Sequence, residues 1–371
     1  MITAMQNFTT DNYQKGRGAQ INTDNQFTAQ QYVQEHIEGI DEEFLQKEKT
    51  QIIYTYPKTI INKVESTDIG LAYSLNPYQG CEHGCIYCYA RNSHEYWGYS
   101  AGLDFERKIL VKKNAPELLE KTFLKKNWEP SPIMLSGNTD CYQPIERKLE
   151  ITRQILQICL RYKHPVSLIT KNALIIRDLD ILIDLAKLNL VHVMITITSL
   201  NEELRQKLEP RTVTYKNRFK VINQLSNANI PVGVMTAPVI PSLTSHEIPE
   251  LIKTAAENGA TTAGYTIVRL NGAIADVFKD WLHKNFEDRA DKVWNHIKEC
   301  HGGQVNDSRW GTRTRGDGKI AEAIRNLFKM SVRKYMPSKN QFEFDTKAYY
   351  KQRQQIFMQN KSRGQFSLFE E

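Results

Sequence analysis

The sequence predicts an α/β protein built as an incomplete barrel of six βα units, and three observations carry that expectation. Short runs rich in β-branched residues recur along the middle of the chain, amphipathic stretches of helical period separate them, and a cysteine-rich loop follows the first run. Strands alternating with helices of 10–15 residues form βαβ units around a parallel sheet. The first strand is expected at Ala72–Leu75 and the second at Pro132–Ser136. A helix over Pro144–Tyr162 sets Ile145, Leu149, Ile155, Leu156 and Leu160 near one face. Val166–Thr170 reads as the third strand and Asp178–Leu188 as the helix after it, followed by Val191–Ile197 and Lys216–Ser226. Val232–Met235, Ile248–Glu257 and Thr261–Val268 supply the fifth strand, its helix and the sixth strand. A barrel of this kind places its chemistry at the C-terminal ends of its strands.

Composition bounds the class. The 371 residues are 40% hydrophobic and 25% charged, with a mean hydropathy of −0.52. Apolar stretches such as Val191–Ile197 fall far short of the ~20 residues that span a bilayer. No basic region followed by an apolar run opens the chain, so the expected location is the cytoplasm and no membrane partner is expected. Residues 1–50 carry Lys15, Arg17, Lys47 and Lys49 against eight carboxylates, a net of −4. With few large apolar residues they read as an extended or partly disordered extension. Residues 65–275 form the expected core, residues 276–350 a helical and basic region, and residues 351–371 a polar tail.

The sharpest chemical feature is Cys81-Glu-His-Gly-Cys85-Ile-Tyr-Cys88, just after the first strand. Three thiols within eight residues of a glycine-containing loop suit a metal or a cluster, and in a reducing compartment closely spaced cysteines are more often ligands than disulfides. Structural zinc takes four protein ligands, and the candidates for a fourth are His83 and His94. Three cysteines on a four-iron cluster leave one iron open for reaction. Cys159 lies on an apolar helix face and reads as core, while Cys300 carries no assigned role.

Cys-x3-Cys-x2-Cys with Tyr87 before the third cysteine resembles the radical S-adenosylmethionine (radical SAM) enzymes. The resemblance implies a partial (βα)6 barrel of TIM type and a [4Fe–4S] cluster on Cys81, Cys85 and Cys88. It further implies that the open iron chelates S-adenosylmethionine, which an electron cleaves to methionine and a 5′-deoxyadenosyl radical that abstracts a substrate hydrogen. The electron would come from a donor such as flavodoxin or ferredoxin. Over residues 70–271 the sequence is similar to the spore photoproduct lyase-like branch. The matching pieces are Ser136–Asp140, Ile169–Asn172, Thr196–Leu200, Leu208–Thr212 and Ala237–Pro241, each at or just beyond the end of an expected strand. Carried over, the resemblance implies that Thr139 and Lys171 meet the carboxylate and ribose region of the cofactor, with Asp140 beside them. Thr198 or Ser199 and Arg211 would lie near ribose and methionine, and Tyr87 against adenine. Thr198 and Ser199 equally suit helix capping. Two departures stand out. The branch carries a hydrogen-returning cysteine on the second-strand loop where this chain has Gly137, so the available donor is Cys141. It also has glycine where this chain has Ser242.

Beyond the barrel, residues 309–334 hold eight Lys or Arg and two acids, a net of +6 within a chain of net +7. Arg309, Trp310, Arg313, Arg315 and Lys319 sit on a glycine-punctuated stretch suited to gripping phosphates and stacking a base, or simply forming a solvated face. Gln365, Phe366, Leu368 and Phe369 resemble the short peptide by which bacterial repair proteins dock on the DNA sliding clamp. Together these favour DNA over RNA as partner and hydrogen abstraction in DNA repair or processing as function. RNA or protein modification, or a clamp-associated iron–sulfur protein without radical chemistry, are the alternatives.

Overall fold

A computed structural model describes residues 14–27, 50–65, 70–337 and 342–362. Strands β1 (Gln51–Thr55) and β2 (Ile61–Lys63) lead to β3 (Tyr73–Leu75), the first strand of the barrel. Strands β4 (Tyr78–Gln79) and β5 (Lys108–Lys112) flank the cysteine loop. Then come β6 (Ile133–Leu135), β7 (Val166–Thr170), β8 (Val191–Thr196), β9 (Val232–Val239) and β10 (Thr262–Ile267). β3 and β6 to β10 pair in parallel and in chain order, with β2 antiparallel outside β3. The sheet has two edges, β2 and β10, which is the incomplete barrel the alternating pattern predicts. A smaller sheet, β1-β5-β4, stands beside it and has no counterpart in the sequence reading.

Helices α1 (Leu103–Arg107) and α2 (Ala115–Leu124) precede β6, and α3 (Glu146–Leu149) and α4 (Ile151–Arg161) follow it. α5 (Leu179–Lys187) follows β7, α6 (Glu202–Leu208) and α7 (Tyr215–Asn227) follow β8, and α8 (Ile248–Glu257) follows β9. After β10 come α9 (Ile274–Asn285), α10 (Ala290–Glu299), α11 (Gly318–Tyr335) and α12 (Lys347–Ser362). Burial alternates along the strands as the pleat requires: Val191, Val193 and Ile195 are buried in the principal core, while His192 and Met194 are half-buried. A second apolar cluster joins Ile86 and Tyr87 of the cysteine loop to Leu208 and to Phe278, Trp281 and Ile297 of α9 and α10.

The single helix expected over 144–162 is in fact two. Glu150 takes φ 52° between α3 and α4, and the bend lets the Glu146 carboxylate accept from Thr152 N at 3.1 Å and from Tyr78 and Arg177. Ser242, where the resembling branch has glycine, sits at φ 62°, a left-handed conformation that favours glycine. Residues 14–27 lie against the cysteine loop with Ala19 fully buried. α11 packs on α8 and covers the β10 edge, its Phe328 ring 4.4 Å from that of Tyr265. Residues 342–350 cross the N-terminal ends of β7 and β8, where Asp345 N donates to Asn189 O and Tyr349 Oη to Phe123 O. Among the described residues no helix is long and apolar enough to cross a membrane.

Candidate active site

The loop from Gly80 to Cys88 lies at the C-terminal end of the barrel and is fastened from several directions. Cys81 N donates to Phe105 O at 2.9 Å, Glu82 N to the Gln143 side chain at 3.0 Å, and Ile86 N to Leu208 O at 3.0 Å. Arg211 N donates to His83 O, and buried Arg91 donates to Cys85 O at 3.0 Å. Cys81 and Cys85 are buried, Cys88 is half-buried, and all three are free thiols. Burial pushes the Cys85 thiol up to about 12, against the nearby Lys171 charge, and raises Cys81 well above the ordinary thiol range. Both are therefore protonated at neutral pH, and a metal binding there displaces those protons. Asp140, Cys85 and Cys88 also raise Cys81, so the three sulfurs feel one another.

Among the described residues no three of His, Cys, Asp and Glu are set to hold a single metal ion. His83 instead faces Asp140 at 3.4 Å and Asn172 at 3.3 Å, and His94 packs between Tyr99 and Phe105. Neither histidine completes a zinc set. Three free thiols on one fastened loop are the donor type that an iron–sulfur cluster takes.

The strand-end residues divide by what they touch. Lys171, directly after β7, holds its ammonium 5.9 Å from the centre of the Tyr87 ring. Burial works to neutralise it, but Cys85, Glu209 and Asp140 outweigh burial and raise it above the ordinary lysine value. Asp140 accepts from Thr170 Oγ1 at 2.8 Å, Lys171 N at 2.9 Å and Tyr142 N at 2.9 Å. Despite burial, His83 first and then the Lys171 and Tyr142 N–H groups keep its carboxyl at about 2. Thr139 is buried, its hydroxyl donating to Tyr78 O at 2.7 Å. Ser199 accepts from Asn201 N at 3.0 Å in the turn that leads into α6, and Arg211 lies 3.6 Å from Glu82 with a third of its side chain exposed.

Sequence reading did not single out Glu209, the hub behind this loop. Its fully buried carboxylate accepts from the Tyr87 hydroxyl, from Thr198 Oγ1 at 2.9 Å and from Arg218 Nη2 at 2.5 Å. Burial alone would raise it, yet Arg218 and Lys171 hold it at about 2. Its place inside Leu208–Thr212 was the available signal, but nothing local announces a partner 122 residues away. Tyr89 was missed as well. It follows Cys88 directly, is half exposed, and donates its hydroxyl to Gly137 O on the second-strand loop. Cys141 is fully buried in the principal core, its N–H bonded to Ser136 Oγ and its carbonyl to Thr152 Oγ1.

The basic stretch reaches the rim of the same barrel end. Ile267 N donates to Thr314 O and Leu270 N to Val305 O, both at 2.8 Å, which ties the 305–314 loop to the end of β10. Trp310 is half exposed and carries the Arg313 guanidinium 4.3 Å above its ring. Arg309 pairs with Asp307 at 2.7 Å, whereas Arg315 and Lys319 are exposed. Gln365, Phe366, Leu368 and Phe369 lie outside the described residues.

A model of the radical SAM superfamily matches residues 75–255. An uncharacterized protein of Mycobacterium tuberculosis is 31% identical over 228 residues, covering 61% of this chain and 67% of that protein. Another, from Methanocaldococcus jannaschii, is 28% identical over 247 residues, covering 67% of this chain and 88% of its own. Among solved structures, spore photoproduct lyase complexed with dinucleoside spore photoproduct superposes with a TM-score of 0.57 at 14% identity, over 77% of this chain and 80% of that one. A mutant of that enzyme with bound AdoMet and dinucleoside spore photoproduct gives 0.55 at 15% over the same shares. At such identities the likeness is one of fold.

Proposed function

This chain belongs to the radical SAM superfamily and is an enzyme of that type, and from that premise we propose that Cys81, Cys85 and Cys88 hold a [4Fe–4S] cluster beside S-adenosylmethionine and that the enzyme abstracts hydrogen from DNA. The observation that carries this reading is the convergence, at one barrel end, of three mutually interacting thiols, the Lys171 cation and a basic rim bearing Trp310. When bound, the cluster supplies the electron that cleaves S-adenosylmethionine and releases the abstracting radical.

The chain's own residues bind, orient and exclude water. Lys171 offers a fixed cation for a carboxylate, and Arg211 has a second, loosely engaged guanidinium at the same loop. Tyr87 presents its ring under Lys171 while its hydroxyl is tied to Glu209, so its orientation is set before any ligand arrives. Asp140 has its acceptors taken by Thr170, Lys171 N and Tyr142 N, and therefore positions the third-strand loop and does not touch substrate. Thr198 and Ser199 hold the fourth-strand loop in place in the same way. At the rim, Trp310 offers a stacking face and Arg315 and Lys319 offer phosphate contacts. The dinucleoside spore photoproduct bound in the structurally similar spore photoproduct lyase supports DNA as the substrate class.

The test is anaerobic reconstitution with iron and sulfide, followed by reduction in the presence of S-adenosylmethionine. Formation of 5′-deoxyadenosine, stimulated more by damaged DNA than by tRNA or protein extract, is the expected result. No 5′-deoxyadenosine under any reductant would sink the radical reading, and stimulation by tRNA or protein alone would sink the DNA reading.

A further inference from the structure

The cysteine loop is held on one side by a segment that lies outside the span matched by the superfamily. Residues 17–19 reach it through a fully buried ion pair, Arg91–Glu106, at 2.6 Å. Glu106 accepts from Gly18 N at 3.1 Å and from Ala19 N at 2.8 Å, while Arg91 donates to Cys85 O and to Ala101 O and Gly102 O. Arg17 adds a bond from its guanidinium to Glu106 O at 2.8 Å. Carboxylate and guanidinium thus form one relay from the N-terminal segment to the carbonyl of a thiol-bearing residue.

Contact is backbone to backbone. A Cβ on Gly18 would stand 1.7 Å from Gly84 O, and Gly84 directly precedes Cys85. Gly84 itself is at φ 68°, and a Cβ there would meet Glu106 Oε2 at 2.8 Å. Two glycines face each other because no side chain fits between the strands of chain they belong to. The segment then runs on over the α1 entrance, where Leu103 N donates to Ile21 O and Thr23 N to Ser100 Oγ.

We propose that residues 17–19, acting through Glu106 and Arg91, are a positioning clamp that sets the backbone of the Cys81–Cys85 loop and seals its thiols from solvent. An unsatisfied Glu106 or Arg91 would be a buried, uncompensated charge, so the clamp and the ion pair stand or fall together, and the loop between them has one conformation in which to receive its metal group. This rests on Cys81 and Cys85 being ligands, but the state of the loop is measurable without any metal, so its failure is distinguishable from failure of the radical reading.

The experiment is thiol alkylation of the full-length apo protein in native buffer, resolved cysteine by cysteine by mass spectrometry, for wild type, Gly18→Ala and Arg17→Gln. Gly18→Ala should raise the alkylation rates of Cys81 and Cys85 about tenfold or more, with core cysteines Cys159 and Cys300 unchanged as internal controls. Arg17→Gln, which keeps the glycine contact, should give a smaller rise at the same two sites and covers the case in which Gly18→Ala does not fold. Reconstituted Gly18→Ala should also lose iron to a chelator faster than wild type. Unchanged rates at Cys81 and Cys85 would overturn the clamp. Equal acceleration of all four cysteines in Arg17→Gln would also overturn it, because the segment would then serve general stability.

Discussion

Replacing Glu209 with Gln tests the hub behind the cysteine loop with little change of shape. In the folded chain the carboxylate receives Tyr87, Thr198 and Arg218, and its pKa falls from 4.5 to about 2, although burial opposes the fall. That depression corresponds to about 3 kcal/mol of stability. Because the folded value is the lower one, the contribution is complete above pH 4.5 and is lost as pH falls towards 2. The neutral amide also leaves Arg218, 1% exposed, without its counter-charge, a situation that typically costs about 3–5 kcal/mol. Both routes give the same size of effect, a large fraction of the roughly 5–15 kcal/mol that holds a typical domain together. Urea unfolding of apo wild type and Glu209→Gln should therefore differ by about 3 kcal/mol at pH 7, the gap closing between pH 4.5 and 2. A gap below about 1 kcal/mol at pH 7, or one that does not narrow in acid, would refute the assignment of Glu209 as a charged hub.

Three further outcomes are expected. Cys85→Ala should abolish iron retention and 5′-deoxyadenosine formation while circular dichroism and thermal unfolding of the apo protein stay near wild type, since a small side chain on a fastened loop is lost. Trp310→Ala should weaken single-stranded DNA binding by about 1–3 kcal/mol in a fluorescence titration, and Arg315→Ala should lower its salt dependence. His164 accepts from Trp128 Nε1 at 3.1 Å and donates from Nδ1 to Pro165 O, and burial takes its pKa from 6.5 down to about 3. A proton on Nε2 would face the Trp128 N–H, so stability complete above pH 6.5 should fall by up to about 5 kcal/mol as pH approaches 3, and His164→Phe should remove that part of the acid sensitivity in the same urea assay.

The fold was legible where burial alternates locally. Val166–Thr170 and Ile248–Glu257 have the bounds their apolar pattern predicts, because one buried face is enough to set a strand or helix period. The pattern failed at Glu150, where nothing local forbids helix and the bend comes from the Glu146 carboxylate meeting Tyr78, Thr152 and Arg177. It was silent on β1, β4 and β5, whose pairings join segments more than thirty residues apart, and more than fifty for β1 with β5. Polar composition reads residues 1–50 as an extended or partly disordered extension, and it carried no sign that Ala19 is buried against another part of the chain.

The candidate site divides along the same line. Cysteine spacing is a property of eight consecutive residues, and the strand-end position of Lys171 follows from the apolar run before it, so the sequence by itself determined the three-cysteine loop and the barrel end that carries it. Which groups surround the loop was decided only by tertiary structure. Tyr87 and Glu209 are 122 residues apart, Gly18 and Glu106 are 88 apart, and Thr314 reaches Ile267 from beyond two helices. Periodicity reports that a face is buried and carries no record of what it is buried against. Buried charges such as Glu209 and Glu106 are tolerable only beside particular distant partners, so their roles exist only once the chain has folded.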